Sequence, residues 1–149
     1  MNLRPPRSTQ SRSSAASEVY KRQPQRTEIT VEPHDLAVIQ YTGGTTSKPK
    51  GVMLTHANLV ANTLQTRHWL SDMRDGKESF LCVLPFSHIY GMTTAMHVPI
   101  ALGATLILLP TFEVNQVLKA IKRYRPSAFP GVPAMYVAIN NAPNVRRYN

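Results

Sequence analysis

The run Tyr41-Thr42-Gly43-Gly44-Thr45-Thr46-Ser47-Lys48-Pro49-Lys50-Gly51 places four hydroxyls, two ammonium groups and three glycines on one short stretch. Thr42, Thr45, Thr46 and Ser47 supply the hydroxyls, and Lys48 and Lys50 supply the positive charge. Gly43 and Gly44 let backbone N–H groups approach a ligand without a Cβ in the way, and Pro49 stiffens the turn between the lysines. N–H groups, hydroxyls and ammonium charge converging on one loop are the ingredients of a phosphate-binding site. A polar turn between two strands would need neither the density of hydroxyls nor the paired lysines.

Two familiar nucleotide loops do not fit. A P-loop needs Gly, four residues, then Gly-Lys-Ser/Thr. Here Gly51 follows Gly44 too late, and Val52-Met53 stands where Lys-Ser/Thr belongs. No G-x-G-x-x-G occurs either, so a dinucleotide-binding turn has no support.

The elements around the loop must hold it. Leu36–Tyr41 is an apolar run of strand length, and Val52-Met53-Leu54 is a second, so the loop joins two strands. Thr55 is placed to cap a helix whose apolar face carries Ala57, Val60, Ala61 and Leu64. Asp75-Gly76 marks a turn. Phe80–Leu84 reads as a buried strand, and a helix is expected from about Ile89 to Leu102, stopped by Gly103. Thr105–Leu109 is a further strand. Val114, Val117, Leu118 and Ile121 recur at helical spacing, with Lys119, Lys122 and Arg123 off that stripe and Pro126 beyond its end. Ser127–Phe129 is a short strand, and Pro133 opens a last helix through Ile139. Strands alternating with helices predict a layered α/β fold with a largely parallel sheet and flanking helices.

The chain has 149 residues, enough for one ordinary domain with a core. Seventeen Lys+Arg against eight Asp+Glu give a formal charge of +9, which favours polyanions such as nucleotides or anionic membrane. Residues 1–28 hold six of these cations against Glu18 and Glu28, are rich in Ser, Gln and Pro, and read as a disordered basic tail or linker, with order beginning near Ile29. Tyr20 is the one aromatic in that stretch, too few for base stacking, so no nucleic-acid partner is expected. Cys82 is the only cysteine, which excludes an intramolecular disulfide and a cysteine zinc cluster, and its apolar neighbours mark it as a buried strand residue. The longest apolar run, 98–110, is too short to span a bilayer and contains Pro99 and Gly103. No secretory signal is evident, and prolines interrupt the Arg- and Ser-rich start that an organellar transit peptide would use. The cytoplasm is the expected compartment.

The loop, read on through YTGGTTSKPKGVMLTHANL, resembles the phosphate-loop signature of the adenylate-forming superfamily of acyl-CoA synthetases, luciferases and peptide-synthetase adenylation domains. Ser47 departs from the usual glycine. Leu84-Pro85-Phe86-Ser87-His88-Ile89-Tyr90-Gly91-Met92 is similar to the Pro-x-x-His segment of the acyl- and aryl-CoA ligases in that superfamily. Phe129-Pro130-Gly131-Val132-Pro133-Ala134-Met135-Tyr136 is similar to a stretch that lines their acyl side. The resemblance covers the chain from about Ile29 onward.

It implies ATP-dependent activation of a carboxylic acid, medium- or long-chain fatty acids first among them, to acyl-AMP and then acyl-CoA. ATP, Mg²⁺ and CoA would be the small-molecule partners, with peripheral membrane association compatible. Thr42, Gly43, Gly44, Thr45, Thr46, Ser47, Lys48, Lys50 and Gly51 would surround the ATP phosphates and stabilise the charge of departing pyrophosphate. His88 and Gly131 would face the acid, and no residue acts as acid or base. The Tyr-Gly-x-Thr-Glu segment, the ribose-binding Asp, and the C-terminal domain with its lysine are not found in this sequence. The chain is therefore expected to be an internal portion of the large N-terminal domain, inactive alone. An adenylation domain loading a carrier protein, a non-catalytic nucleotide-binding remnant and a basic polyanion-binding protein are the alternative readings.

Overall fold

The computed structural model describes residues 29–42, 49–143 and 145–148. The basic tail expected over 1–28 and the loop residues Gly43, Gly44, Thr45, Thr46, Ser47 and Lys48 lie outside the described residues. The chain divides into two compact units, Met1–Val31 and Glu32–Asn149. Of the first, Ile29 and Val31 are described and exposed. All regular structure described below belongs to the second.

Strands β1 (Leu36–Thr42) and β2 (Lys50–Thr55) pair antiparallel. This corrects the expectation of a largely parallel sheet. Parallel neighbours need a crossover of a dozen or more residues, and the connection over 43–49 is too short for one. Thr55 then caps α1 (His56–Trp69), its hydroxyl accepting from Asn58 N at 3.2 Å while Asn58 Oδ1 accepts from Thr55 N at 3.0 Å. The reciprocal pair satisfies two backbone donors at the helix start.

The face α1 buries differs from the stripe of Ala57, Val60, Ala61 and Leu64. Val60 and Leu64 are 56% and 51% exposed, whereas Thr63 is 7% exposed. A stripe through Leu59, Thr63, Thr66 and Leu70 turns inward instead. Threonines can be buried there because their hydroxyls return to the backbone, Thr63 to Leu59 O at 2.7 Å and Thr66 to Asn62 O at 2.8 Å. Asn62 also receives the Thr93 hydroxyl at 3.0 Å, tying α1 to the next helix.

Strand β3 (Ser79–Cys82) is the centre of the second sheet. It pairs parallel with β4 (Thr105–Leu108), and on its other side forms a parallel bridge, Phe80 with Ala128. The strand expected over Ser127–Phe129 is thus reduced to that one bridge. Alternate residues of β3 serve two cores, as the pleat demands. Phe80 and Cys82 pack with Ala95, Val98 and Leu102, while Leu81 and Val83 pack with Val117 and Ala120. Helices therefore cover both faces of this parallel pair, and the result is a mixed α/β fold with small sheets.

The helix between β3 and β4 runs as a short α-helical turn (Ile89–Gly91), a π-helical stretch (Met92–His97) and a second α-helical turn (Val98–Ala101), together α2. Pro99 explains part of this irregularity: it has no N–H to donate to Ala95 O one turn earlier. Ala95 O instead receives the thiol of Cys82, with Sγ at 3.2 Å. Burial pushes the Cys82 thiol up to about 11, so it stays protonated and able to donate. Gly103, with φ +60°, ends α2 as expected. Helix α3 (Val114–Tyr124) buries Val117, Leu118 and Ala120 and ends at Arg125 in the left-handed region, φ 46°. Helix α4 (Pro133–Asn140) and a 3₁₀ turn (Val145–Tyr148) follow.

Candidate functional site

The β1–β2 hairpin holds both ends of the Gly- and Thr-rich loop. Thr42 and Lys50 are register partners, and the Thr42 hydroxyl donates to Lys50 O at 3.4 Å. Directly opposed residues on antiparallel strands project to the same face. The Thr42 and Lys50 side chains therefore leave the two ends of the loop on one face. Gly51 lies opposite Tyr41, and a Cβ at Gly51 would stand 2.8 Å from Ile39 Cγ2 and 3.6 Å from the Tyr41 ring. The missing side chain lets those two residues pack across the strand.

His88 is exposed rather than packed in the core. Its Nδ1 accepts from Tyr90 N at 3.2 Å and caps the first turn of α2. An accepting Nδ1 carries no proton, so Nε2 holds the proton of the neutral ring. His88→Asn keeps a capping acceptor and is expected to stay within about 0.5 kcal/mol of the parent, whereas His88→Ala is expected to lose about 1 kcal/mol. Urea denaturation midpoints of the two variants check this.

Gly131 is brought to the same place. Tyr90 Oη donates to Gly131 O at 3.2 Å, across 41 residues of sequence. Tyr136 Oη donates to Phe129 O at 2.8 Å, and the Phe129 and Tyr136 rings meet edge to face at 5.7 Å. A Cβ at Gly131 would stand 3.1 Å from the tip of the Tyr136 ring. The His88 turn and the Gly131 segment thus form one wall.

Behind that wall lies a cavity of about 260 Å³. Leu70, Met73, Phe80, Val98, Ala128, Phe129 and Pro130 line it with apolar surface, and Thr66, Tyr90 and Thr94 complete the lining. The Thr94 hydroxyl is turned back to Tyr90 O at 2.8 Å, so its methyl and backbone remain for the cavity. Tyr90 and Thr94 escaped the sequence reading, although their spacing of one helical turn within the His88 segment was a usable signal. Gly91 escaped it as well: a Cβ there would collide with the Pro85 carbonyl oxygen.

A second cavity, about 320 Å³, lies between α1 and α2 against His56, Leu59, Val60, Thr63, Leu64, His97, Ile100 and Ala101. Burial lowers the His97 pKa below its ordinary 6.5. Among the described residues no group of three or more His, Cys, Asp or Glu side chains could hold a metal ion. Among them, too, no helix is long and apolar enough to cross a membrane.

The chain is similar to known proteins in sequence and in fold. The Bacillus subtilis (strain 168) long-chain-fatty-acid–CoA ligase is 44% identical over 130 residues, covering 84% of this chain and 23% of its own length. The N-terminal domain of FACL13 from Mycobacterium tuberculosis superposes with a TM-score of 0.76 at 27% identity, over 92% of this chain and 34% of that one. ATP-bound MatB from Rhodopseudomonas palustris superposes with a TM-score of 0.69 at 31% identity, over 77% of this chain and 22% of that one. The chain spans about a quarter of the length of the curated ligase. The sequence pattern of the AMP-binding enzyme family matches residues 3–149, and the chain belongs to that family.

Proposed function

We propose that this chain supplies the ATP phosphate-binding loop and part of the acyl pocket of an AMP-forming acid–CoA ligase acting on medium- or long-chain fatty acids. The observation that carries the reading is the pairing of Thr42 with Lys50 at the mouth of the hydroxyl-rich loop. ATP would lie with its β- and γ-phosphates over that loop. As the acid's carboxylate oxygen bonds to the α-phosphorus, the bond to the departing pyrophosphate breaks and negative charge gathers on it. The Lys50 ammonium, at the edge of the hairpin, and the loop's hydroxyls and N–H groups would stabilise that charge. The thiol of CoA then attacks the acyl carbon, and AMP leaves. Mg²⁺ bound with ATP would add its positive charge to that of Lys50 in neutralising the phosphates.

The acid's tail would enter the cavity behind Tyr90 and Gly131. Its lining offers no charged side chain, which suits an alkyl chain, and each buried methylene contributes about 0.8 kcal/mol. Thr94→Trp would fill space for two or three methylenes. It is expected to weaken binding of a long-chain fatty acid by about 2 kcal/mol, roughly thirtyfold, in displacement of a fluorescent fatty acid. Unchanged affinity would remove the cavity from the acyl pocket. Displacement by an aryl acid and not by a fatty acid would point to an aryl-CoA ligase.

A further inference from the structure

Helices α1 and α2 carry four threonines between them. Thr63, Thr66 and Thr94 each return the hydroxyl to a carbonyl one turn earlier on the same helix. Thr93 does not. It is buried, and its hydroxyl crosses to Asn62 Oδ1 at 3.0 Å. A helical threonine can satisfy its hydroxyl at its own backbone, so folding α2 does not require this reach. What the reach fixes is the place of one helix against the other.

Little else sets that spacing. Among the described residues no other hydrogen bond joins the two helices. Their packing is interrupted as well, because the cavities of about 320 Å³ and about 260 Å³ each take lining residues from both. Both partners of the bond are tied to the walls of the smaller cavity. On α1, Asn62 O accepts from the Thr66 hydroxyl at 2.8 Å, and Thr66 is a lining residue. On α2, Thr93 O accepts from Val98 N in the wide register of the π-helical stretch, and Val98 and Thr94 are lining residues. The Asn62–Thr93 bond thus links the α1 wall of the cavity to its α2 wall.

We propose that Asn62 is a positioning residue for the acid: by accepting from Thr93 it sets the separation of the two cavity walls, and with it the preference for longer acyl tails. The proposal rests on this cavity being the acyl pocket. Asn62 is exposed and does not line the cavity, so it acts through α1 and Thr93 and not by touching the acid. Its exposure also separates position from stability. Asn62→Ala loses one hydrogen bond but gains helix propensity, and the amide it removes was in reach of water, so the fold is expected to keep its Tm. The wall spacing has no such compensation. A shift of one wall withdraws contact from every methylene between the walls, so the loss grows with the length of the tail.

Displacement of a fluorescent fatty acid from the full chain by hexanoate and by dodecanoate tests this. Asn62→Ala and Thr93→Val are each expected to weaken dodecanoate about fivefold and hexanoate less than about twofold. Together they should cost no more than either alone, since both delete the same bond. Asn62→Asp keeps the accepting oxygen and Thr93→Ser keeps the donating hydroxyl, and both are expected to retain the parent's preference for the longer acid. Equal losses for the two acids, additive losses in the double variant, or parent affinity in both single variants would overturn the positioning role. Thr94→Trp, measured alongside, tells the two failures apart. If it weakens dodecanoate while Asn62→Ala and Thr93→Val do not, the positioning role alone falls. If it leaves dodecanoate unchanged, the acyl pocket lies elsewhere and the positioning role falls with it.

Discussion

Lys50→Met is expected to weaken ATP binding by about ten- to a hundredfold. Methionine keeps the unbranched stem and removes only the charge and its donors. A hydrogen bond to a charged group contributes about 1.5–3 kcal/mol, and each 1.4 kcal/mol is about tenfold in affinity. The hairpin register makes the substitution informative, because Lys50 is an exposed strand residue whose paired contact with Thr42 runs through its backbone carbonyl. The fold should therefore survive the change. Isothermal titration with ATP reads the loss, and unfolding of the same sample shows that the protein is intact. ATP binding as tight as the parent's would take Lys50 out of the phosphate site.

Gly91→Ala is expected to damage the other half of the site from the inside. Gly91 is buried, and its Cβ would meet the Pro85 carbonyl oxygen and crowd Leu84 Cβ at 3.1 Å. Backbone cannot swing aside as a side-chain tip can, so Pro85 or the first turn of α2 must move. The cost is about 3 kcal/mol, or roughly 10 °C or more in Tm for a domain of this size. Because Gly91 sits next to Tyr90, the same shift should break the Tyr90–Gly131 hydrogen bond and distort the apolar cavity. Gly131→Ala makes the contrast. Its Cβ would meet the end of the Tyr136 ring, which can tilt by giving up the bond to Phe129 O, so a loss of about 1 kcal/mol is expected. Thermal denaturation of the two variants side by side checks the ordering, and equal losses would contradict the backbone collision.

What the sequence made legible were local signals with one physical cause. Thr55 as a cap, Gly103 as a helix stop and the Val114–Ile121 stripe each depend on residues within a turn or two, and each stands in the structure as read. Burial of Cys82 followed from its apolar neighbours in the same way. Failures came where tertiary contacts decided between local options. Helix α1 offers two possible inward stripes, and the threonine-bearing one won because its hydroxyls bond back to the helix and Asn62 reaches Thr93. The parallel sheet was over-extended because alternation of strands and helices was applied to β1 and β2, which no helix separates. In the π-helical stretch Ala95 O, which Pro99 has no N–H to meet, receives a thiol from another strand, a pairing no local pattern encodes.

The site divides along the same line. The proposed phosphate loop rests on residue types alone, since phosphate recognition needs hydroxyls, N–H groups and cations in one short segment. The wall joining the His88 turn to the Gly131 segment could not be read that way, because its defining contact joins Tyr90 to Gly131 across the fold. Only the resemblance pointed to His88 and Gly131 together, and it gave no sign that His88 also caps a helix or that Tyr90 and Thr94 line the cavity.

The most direct measurement is a competition titration. ATP is bound to the chain, and inorganic triphosphate and adenosine are added in separate experiments. Displacement by triphosphate and not by adenosine is the expected result, because the loop between Thr42 and Lys50 offers groups for phosphate and none of the signature residues for ribose. Absence of saturable ATP binding, or displacement by adenosine alone, would contradict a phosphate-binding loop at the hairpin.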